Sequence, residues 1–183
     1  MGTRTLLLVR HGQYALDEAG SLTALGREQA RVTGAWIAND LDGIPVAALW
    51  SSTLPRARET AAIIANSIPN GKVRPVGVLR EGIYSRIRGY KVSASKQRED
   101  RVRADAAWKR FFKTSRADRL ELLVCHGNLI RYLVCRALHV SILRWIRMNS
   151  SNCAMTRVLI RDTGAIRVVS YNETAHLPAD LVT

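Results

Sequence analysis

Short apolar runs and longer stretches of helical periodicity alternate along the chain. The first run, residues 6–9, is brief and continuous, which predicts a strand that is buried in a sheet. Similar runs predict strands over residues 46–50, 72–79, 120–125, 155–160 and 166–171. Asp162-Thr163-Gly164 separates the last two runs and is typical of a hairpin turn. The pattern therefore predicts several strands, of which the last two are paired.

Apolar residues recur at helical spacing in the segments between the first four strands and after the fourth. This spacing predicts helices over about residues 24–40, from Pro55 to near residue 68, over about 95–114, and from 129 onward. Pro75 interrupts the third apolar run, so that strand is predicted to be short or near an edge. Strands that alternate with helices favour a mostly parallel central sheet covered on both faces. We therefore expect an α/β fold of three layers, α/β/α, in a single domain over residues 1–183.

Charged and titratable residues follow each of the first four predicted strands. Arg10 and His11 follow the first strand, Arg56 the second, Glu81 the third and His126 the fourth. Ligands of open α/β sheets bind beyond the carboxyl ends of the strands, so these residues are predicted to meet there. One histidine can attack phosphorus, while the other histidine and the arginines neutralise the phosphoryl oxygens. A carboxylic acid can then protonate the leaving oxygen, which makes this set suitable for phosphoryl transfer.

The formal net charge of +13 indicates an anionic partner. Between Arg80 and Arg119 there are 13 Lys or Arg residues against 5 Asp or Glu residues. Nucleic acid and a phosphorylated substrate both fit this charge, and the charge alone does not choose between them. Five cations follow Glu81, in the stretch up to the first turns of the next helix, and are predicted to rim the mouth of the site: Arg86, Arg88, Lys91, Lys96 and Arg98.

Other features of the sequence bear on metals, membranes and location. The three cysteines are few and odd in number, and neither they nor the four histidines show metal-ligand spacing. We therefore expect a reducing compartment and neither a metal nor another cofactor. No uncharged apolar run of about 18 residues occurs, and the first predicted strand leaves no room for a signal peptide. The expectation is a cytoplasmic protein with no membrane partner.

Five motifs along the chain carry a resemblance to a known family. They cover Arg10-His11-Gly12 and residues 22–30, 51–60, 79–82 and 125–132. Together, and in this order at the junctions of strands and helices, they resemble the histidine phosphatase superfamily, also called the phosphoglycerate mutase-like family. The resemblance covers essentially the whole chain and implies a phosphoglycerate mutase-like fold.

The resemblance also implies roles for individual residues. It implies a metal-independent phosphomonoesterase in which His11 becomes a phosphohistidine. Glu81 is implied to be the proton donor, and phosphate or vanadate is the implied pocket ligand. The other residues implied to line the phosphate pocket are Arg10, Gly12, Arg56, His126 and Asn128.

The substrate is a further expectation. Within the superfamily the chain looks most like the Ser/Thr protein phosphatases, on Gln13-Tyr14, residues 79–82 and residues 125–138. A phosphoprotein substrate is therefore expected, with a phosphoglycerate mutase or small-metabolite phosphatase as the alternative. An adaptor that binds a phosphorylated ligand or nucleic acid is a third hypothesis, which the intact catalytic set disfavours. The sequence leaves open whether the protein forms a homo-oligomer.

Overall fold

The computed structural model describes residues 2–16, 19–40, 44–85 and 91–183. The strands found in these ranges are β1 (Arg4–Arg10), β2 (Val46–Ser51), β3 (Val73–Pro75), β4 (Arg119–Cys125), β5 (Met155–Ile160) and β6 (Ile166–Glu173). They form one six-stranded sheet in the order β3-β2-β4-β1-β5-β6. The first four strands are mutually parallel, while β5 is antiparallel to both β1 and β6. The predicted mostly parallel sheet and its closing hairpin are confirmed.

Four α-helices and three 3₁₀ helices accompany the sheet in the described ranges. The α-helices are α1 (Ala24–Asp40), α2 (Pro55–Ala65), α3 (Ala94–Phe111) and α4 (Gly127–Ala137). The 3₁₀ helices cover Gly77–Leu79, Ile142–Arg147 and Ala179–Leu181. Two of the α-helices begin as the sequence predicts. The N–H of Gly26 donates to Oγ1 of Thr23 at 3.0 Å, and Pro55 occupies the first turn of α2.

Alternate residues of the central strands pack against different helices. Leu6 and Leu8 point to the face where α3 and α4 pack, and Leu7 and Val9 point to the face where α1 and α2 pack. All four side chains are at most 3% exposed, which is why the run shows no polar alternation. This arrangement confirms the predicted α/β/α layers.

The third strand is short and lies at the edge of the sheet, as Pro75 indicated, and it ends well before residue 79. β3 covers three residues at the edge of the sheet, and a 3₁₀ helix occupies Gly77–Leu79. Pro75 has no N–H to donate to a ladder, and the N–H of Val76 makes the last strand-like bond, to the carbonyl of Ser51 at 2.8 Å. The 3₁₀ helix buries Leu79 and brings the chain to Glu81 at the carboxyl edge of the sheet.

The closing hairpin turns at Gly164, whose φ of +84° is readily adopted only by glycine. Its first strand, β5, lies beside β1, and its second strand, β6, forms the edge of the sheet on the side away from β4. None of the helices in the described ranges combines the length and the apolar character needed to cross a bilayer.

Candidate functional site

The parallel register of β1 and β4 places two histidines side by side. Arg10 is paired with Cys125 at the carboxyl ends of these strands, so His11 and His126 leave the sheet together. Their ring centroids are 5.0 Å apart, and both side chains are almost completely buried. The carboxyl edge of the sheet is therefore where the predicted residues meet.

The hydrogen bonds of His11 fix its tautomer. Nε of Arg56 is a donor only and lies 3.1 Å from Nε2 of His11, so Nε2 accepts. Nδ1 therefore carries the proton and donates to the carbonyl of Gly12 at 2.8 Å. Burial lowers the pKa of His11 to about 3, helped by the charges of Arg10 and Arg56 and opposed by the bond to Gly12. His11 is thus a neutral imidazole at physiological pH, with a lone pair on Nε2.

Arg56 is held in place by an aromatic ring as well as by His11. Its Cζ lies 4.5 Å from the centroid of the Tyr14 ring, and the same ring meets His11 edge-on at 5.3 Å. A cation over an aromatic face is attracted by the quadrupole of the ring. Sequence analysis assigned no role to Tyr14, although the dipeptide Gln13-Tyr14 directly follows the first motif.

The two ring nitrogens of His126 have different surroundings, Nε2 beside Ser52 and Nδ1 beside Glu81. Nε2 of His126 lies 2.8 Å from Oγ of Ser52, a residue whose role sequence analysis missed. Nδ1 is buried, has no hydrogen-bond partner in the described residues, and lies 3.8 Å from Oε2 of Glu81. Burial holds the pKa of His126 well below its usual value, and the nearby positive charges of Arg56 and Arg10 lower it further. His126 is therefore also neutral at physiological pH.

Glu81 presents a carboxyl group with one buried and one more accessible side. The side chain is 29% exposed, yet Oε1 is buried without a hydrogen-bond partner in the described part of the chain. Burial raises the pKa of Glu81 to about 7, against the lowering effect of the Arg56 and Arg10 charges. At neutral pH the group is therefore divided between its acid and its carboxylate form, as a group that both gives and takes protons requires.

Side chains of helix α3 bind the backbone of the loop that contains Glu81. Arg103 donates to the carbonyl of Glu81 at 2.8 Å, and Arg101 donates to the carbonyl of Tyr84 at 2.6 Å. Asp100, which is 3% exposed, accepts from the N–H of Ile83 at 2.9 Å. Part of the basic stretch is therefore used inside the protein, to position the loop that carries Glu81.

The cations predicted to rim the mouth can be followed only in part. Arg86 and Arg88 fall within 86–90, outside the described residues. Lys91, Lys96 and Arg98 are exposed, and Lys96 pairs with Asp100 at 3.0 Å. Their role at the mouth stays a prediction.

Arg10 reaches from β1 to the loop that follows the Ile142–Arg147 helix. It donates through Nη1 to the carbonyl of Ser150, while its Nε is buried without a partner in the described ranges. The amide of Asn152 donates to the carbonyl of His11 at 2.9 Å. The 149–152 loop thus fixes two of the three residues of the first motif, across about 140 residues of sequence.

Gly12 and Asn128 lie beside the site in different ways. A Cβ on Gly12 would come within 2.4 Å of the carbonyl oxygen of Gly26, so this close approach requires glycine. The side chain of Asn128 donates to the carbonyl of Gly82 at 3.0 Å and accepts from Arg131. The amide nitrogen therefore braces the loop after Glu81 and the amide oxygen holds Arg131, while the implied place of Asn128 in the phosphate pocket stays a prediction.

The structure also assembles a group that could hold a metal ion. Ligand atoms of His11, Glu81 and His126 all lie within 4.8 Å of one another. These three residues were predicted to meet at the strand ends, but their spacing in the sequence did not indicate a metal site, because they come from three separate strands. Two histidines and one carboxylate are a known ligand set, but Arg56 occupies Nε2 of His11 and adds a positive charge that opposes a divalent cation.

The comparison with protein families agrees with this fold and site. The chain belongs to the histidine phosphatase superfamily (branch 1), whose family model matches residues 6–113 and 98–174. The resemblance seen in the sequence motifs is therefore confirmed.

Three individual proteins show how the chain is related within this superfamily. It is 37% identical over 191 residues to the mitochondrial serine/threonine-protein phosphatase Pgam5 of Caenorhabditis elegans, covering 99% of this chain and 66% of that protein. It is 33% identical over 193 residues to human mitochondrial PGAM5, with the same coverage of 99% and 66%. The crystal structure of a Plasmodium falciparum phosphoglycerate mutase matches with 29% identity and a TM-score of 0.72, covering 98% of this chain and 96% of that one.

These relatives confirm one expectation and overturn another. The predicted phosphoglycerate mutase-like fold and the similarity to Ser/Thr protein phosphatases are confirmed. The expectation of a cytoplasmic protein is wrong, because the curated relatives are named as mitochondrial. The few cysteines indicated only a reducing compartment, which did not separate these locations. The chain spans 66% of the length of these two relatives.

Proposed function

We propose that this chain hydrolyses phosphomonoesters through a phosphohistidine intermediate on Nε2 of His11. One observation carries the proposal. Three buried polar atoms without partners in the described residues belong to the groups around His11: Nε of Arg10, Oε1 of Glu81 and Nδ1 of His126. Buried polar groups are normally paired, and a phosphoryl group offers the oxygens that would satisfy the nitrogen atoms. Oε1 of Glu81 can in turn be satisfied by a proton shared with the ester oxygen.

The proposed reaction has two steps. In the first, Nε2 of His11 bonds to phosphorus as the ester P–O bond breaks, and protonated Glu81 gives its proton to the leaving oxygen. In the second, water attacks phosphorus, Glu81 takes a proton from that water, and the N–P bond breaks to release phosphate. Glu81 therefore ends each cycle in the acid form with which it began.

The cations stabilise the charge that spreads over the phosphoryl oxygens. Arg10 and Arg56 carry fixed positive charges, and neutral His126 donates a hydrogen bond if its proton is on Nδ1. Nε of Arg56 lies 3.1 Å from Nε2 of His11. As the ligand enters, the Arg56 guanidinium must move aside or turn its N–H donors towards the phosphate. The Tyr14 ring, over whose face the guanidinium lies, limits how far the guanidinium travels.

The substrate class proposed first is phosphoprotein, on serine or threonine. The support comes from relatives with 33–37% identity whose names are those of serine/threonine-protein phosphatases. A phosphoglycerate mutase or small-metabolite phosphatase is the second candidate, favoured by the 29% identity to a structure titled phosphoglycerate mutase. We further propose that residues 1–183 form a single domain, since one sheet receives strands from Arg4 to Glu173.

Kinetics with three substrates test the proposed function. We expect turnover of p-nitrophenyl phosphate and of phosphoserine peptides, with competitive inhibition by vanadate at the same pocket. The ratio of kcat/KM between phosphoserine peptides and 3-phosphoglycerate separates the first candidate from the second. A mutase would instead transfer phosphate between glycerate positions and release little of it to water. No hydrolysis of any phosphomonoester, together with tight binding of a phosphopeptide, would support the adaptor.

Removal of metal ions is expected to leave the rate unchanged. The proposed pocket takes its positive charge from Arg10 and Arg56, and Nε2 of His11 already accepts a hydrogen bond from Arg56. The measurement is hydrolysis of p-nitrophenyl phosphate after dialysis against excess chelator, with and without added Mn²⁺ or Zn²⁺. A rate that collapses with chelator and returns with a divalent ion would assign His11, Glu81 and His126 to a metal site instead.

A further inference from the structure

A second cationic pocket lies at the opposite end of the sheet from the proposed active site. Its volume is about 350 Å³, and it lies where β1 and β4 begin and α3 ends. Four cations line it: Arg4, Arg110, Lys113 and Arg119. β1 runs from Arg4 in this pocket to Arg10 in the active site, which separates the two by roughly 20 Å at about 3.3 Å per residue. The pocket is therefore distinct from the site described above.

A buried carboxylate organises one wall of this pocket. Glu121 is 0% exposed and accepts hydrogen bonds from Arg4 through Oε2 and from Arg119 through Oε1, both at 2.9 Å. The indole N–H of Trp50 lies 3.4 Å from the same Oε1. Glu121 thus fixes the positions of the Arg4 and Arg119 guanidinium groups, and its single negative charge neutralises only one of their two positive charges.

Two further cations of the lining, Arg110 and Lys113, are not paired with a carboxylate in the described residues. In the part of the chain that the structure describes, neither Arg110 nor Lys113 has a carboxylate within ion-pair distance. The guanidinium of Arg110 lies over the Trp50 ring, with Cζ 4.8 Å from its centroid, and so is held without using its N–H donors. Four cations and one carboxylate give the lining a net charge of +3 at neutral pH.

We propose that this pocket is a second anion site, which binds a phosphate group independently of the active site. Guanidinium forks pair with phosphate oxygens through parallel hydrogen bonds, and a lysine adds a point charge. Such a group would offset the repulsion among Arg110, Lys113 and the excess charge beside Glu121. Arg110 already covers a face of the Trp50 ring, so that face is not open to an aromatic ligand. The ligand is thus defined by its phosphate.

The phosphate can be free or carried by a peptide, and the spacing of the two sites separates these sources. Six extended residues span roughly 20 Å, which is the separation of this pocket from the active site. The straight line between the two sites runs along β1, which is buried beneath helices on both faces, so a peptide that engages both must follow the longer path over the surface. A peptide with two phosphoserines about 20 residues apart is long enough for that path, whereas a free anion engages either site alone.

The binding test uses methylenediphosphonate, a diphosphate analogue that phosphatases do not hydrolyse, titrated calorimetrically into the full chain. Wild type is expected to bind two molecules, one in each pocket. The double variant Arg110→Gln, Lys113→Gln is expected to bind one, with at least a tenfold loss of affinity at the second pocket. Its kcat and KM for p-nitrophenyl phosphate should stay within twofold of wild type, because both side chains lie on the exposed rim far from His11.

The matched control is Arg116→Gln, which removes an exposed charge close in sequence that does not line the pocket. It is expected to keep both binding sites. A single binding site in wild type, or an equal loss in Arg116→Gln, would show that the stretch is only a solvated basic surface and would overturn the proposal. Tighter binding of the doubly than the singly phosphorylated peptide, lost in the double variant, assigns the pocket to peptide-borne phosphate. Equal binding of the two peptides assigns it to a free anion.

Discussion

His11→Ala is expected to lower kcat for p-nitrophenyl phosphate by about 10³-fold or more, because the variant has no atom on which a phosphoenzyme can form. In wild type, rapid acid-free denaturation after mixing with ³²P-labelled substrate should trap a phosphoenzyme that is labile to acid and stable to base. The same procedure applied to the variant should yield none. Steady-state kinetics and the trapping experiment together measure the loss and its cause.

The control for this variant is His139→Asn. His139 is exposed, lies outside the site and has a φ of +55°, a conformation that asparagine tolerates better than most residues. It should retain wild-type kinetics. Thermal unfolding of His11→Ala, followed by circular dichroism, establishes that the variant is folded. A folded variant that keeps activity within tenfold of wild type would remove His11 from the role of nucleophile.

The sequence was most informative about the site residues that directly follow a predicted strand. Arg10, His11 and His126 each follow an apolar run within two residues of its end, and parallel strands bring such ends together. The edge position of the third strand followed from Pro75 alone, because proline lacks the donor that a central strand needs. These predictions depended on local patterns and on general rules of sheet topology.

The residues that position these groups were not predictable in the same way. Ser52 meets His126 across 74 residues, and Asn152 meets the carbonyl of His11 across 141. Polar residues in loops are common, so neither one stands out in the sequence. The same holds for Arg103, which belongs to a stretch that appeared only as excess charge and is used to hold the backbone of Glu81. Their contacts in the folded protein, and not the composition of the sequence, distinguish such residues from the solvent-exposed polar residues near them.

Glu81→Gln is expected to affect substrates according to how much their leaving oxygen needs a proton. For phosphoserine peptides, kcat/KM should fall by about 10²-fold or more, because an alkoxide is a poor leaving group. For p-nitrophenyl phosphate the loss in kcat/KM should be less than about tenfold, since p-nitrophenolate leaves without protonation. kcat/KM is the quantity to compare, because it reports the step that forms the phosphoenzyme and not its later hydrolysis.

The pH profile gives the same prediction a second readout. Burial raises the pKa of Glu81 to about 7, so its acid form is present below pH 7 and is lost as the pH rises through that value. For phosphoserine peptides, wild-type kcat/KM should therefore decline above about pH 7, and Glu81→Gln should lose this decline. Glu99→Gln, which removes an exposed carboxylate of α3, is the matched control and should keep both the rate and the profile. Equal losses on the two substrates, with the decline retained, would assign Glu81 to positioning and leave the proton donor to another group.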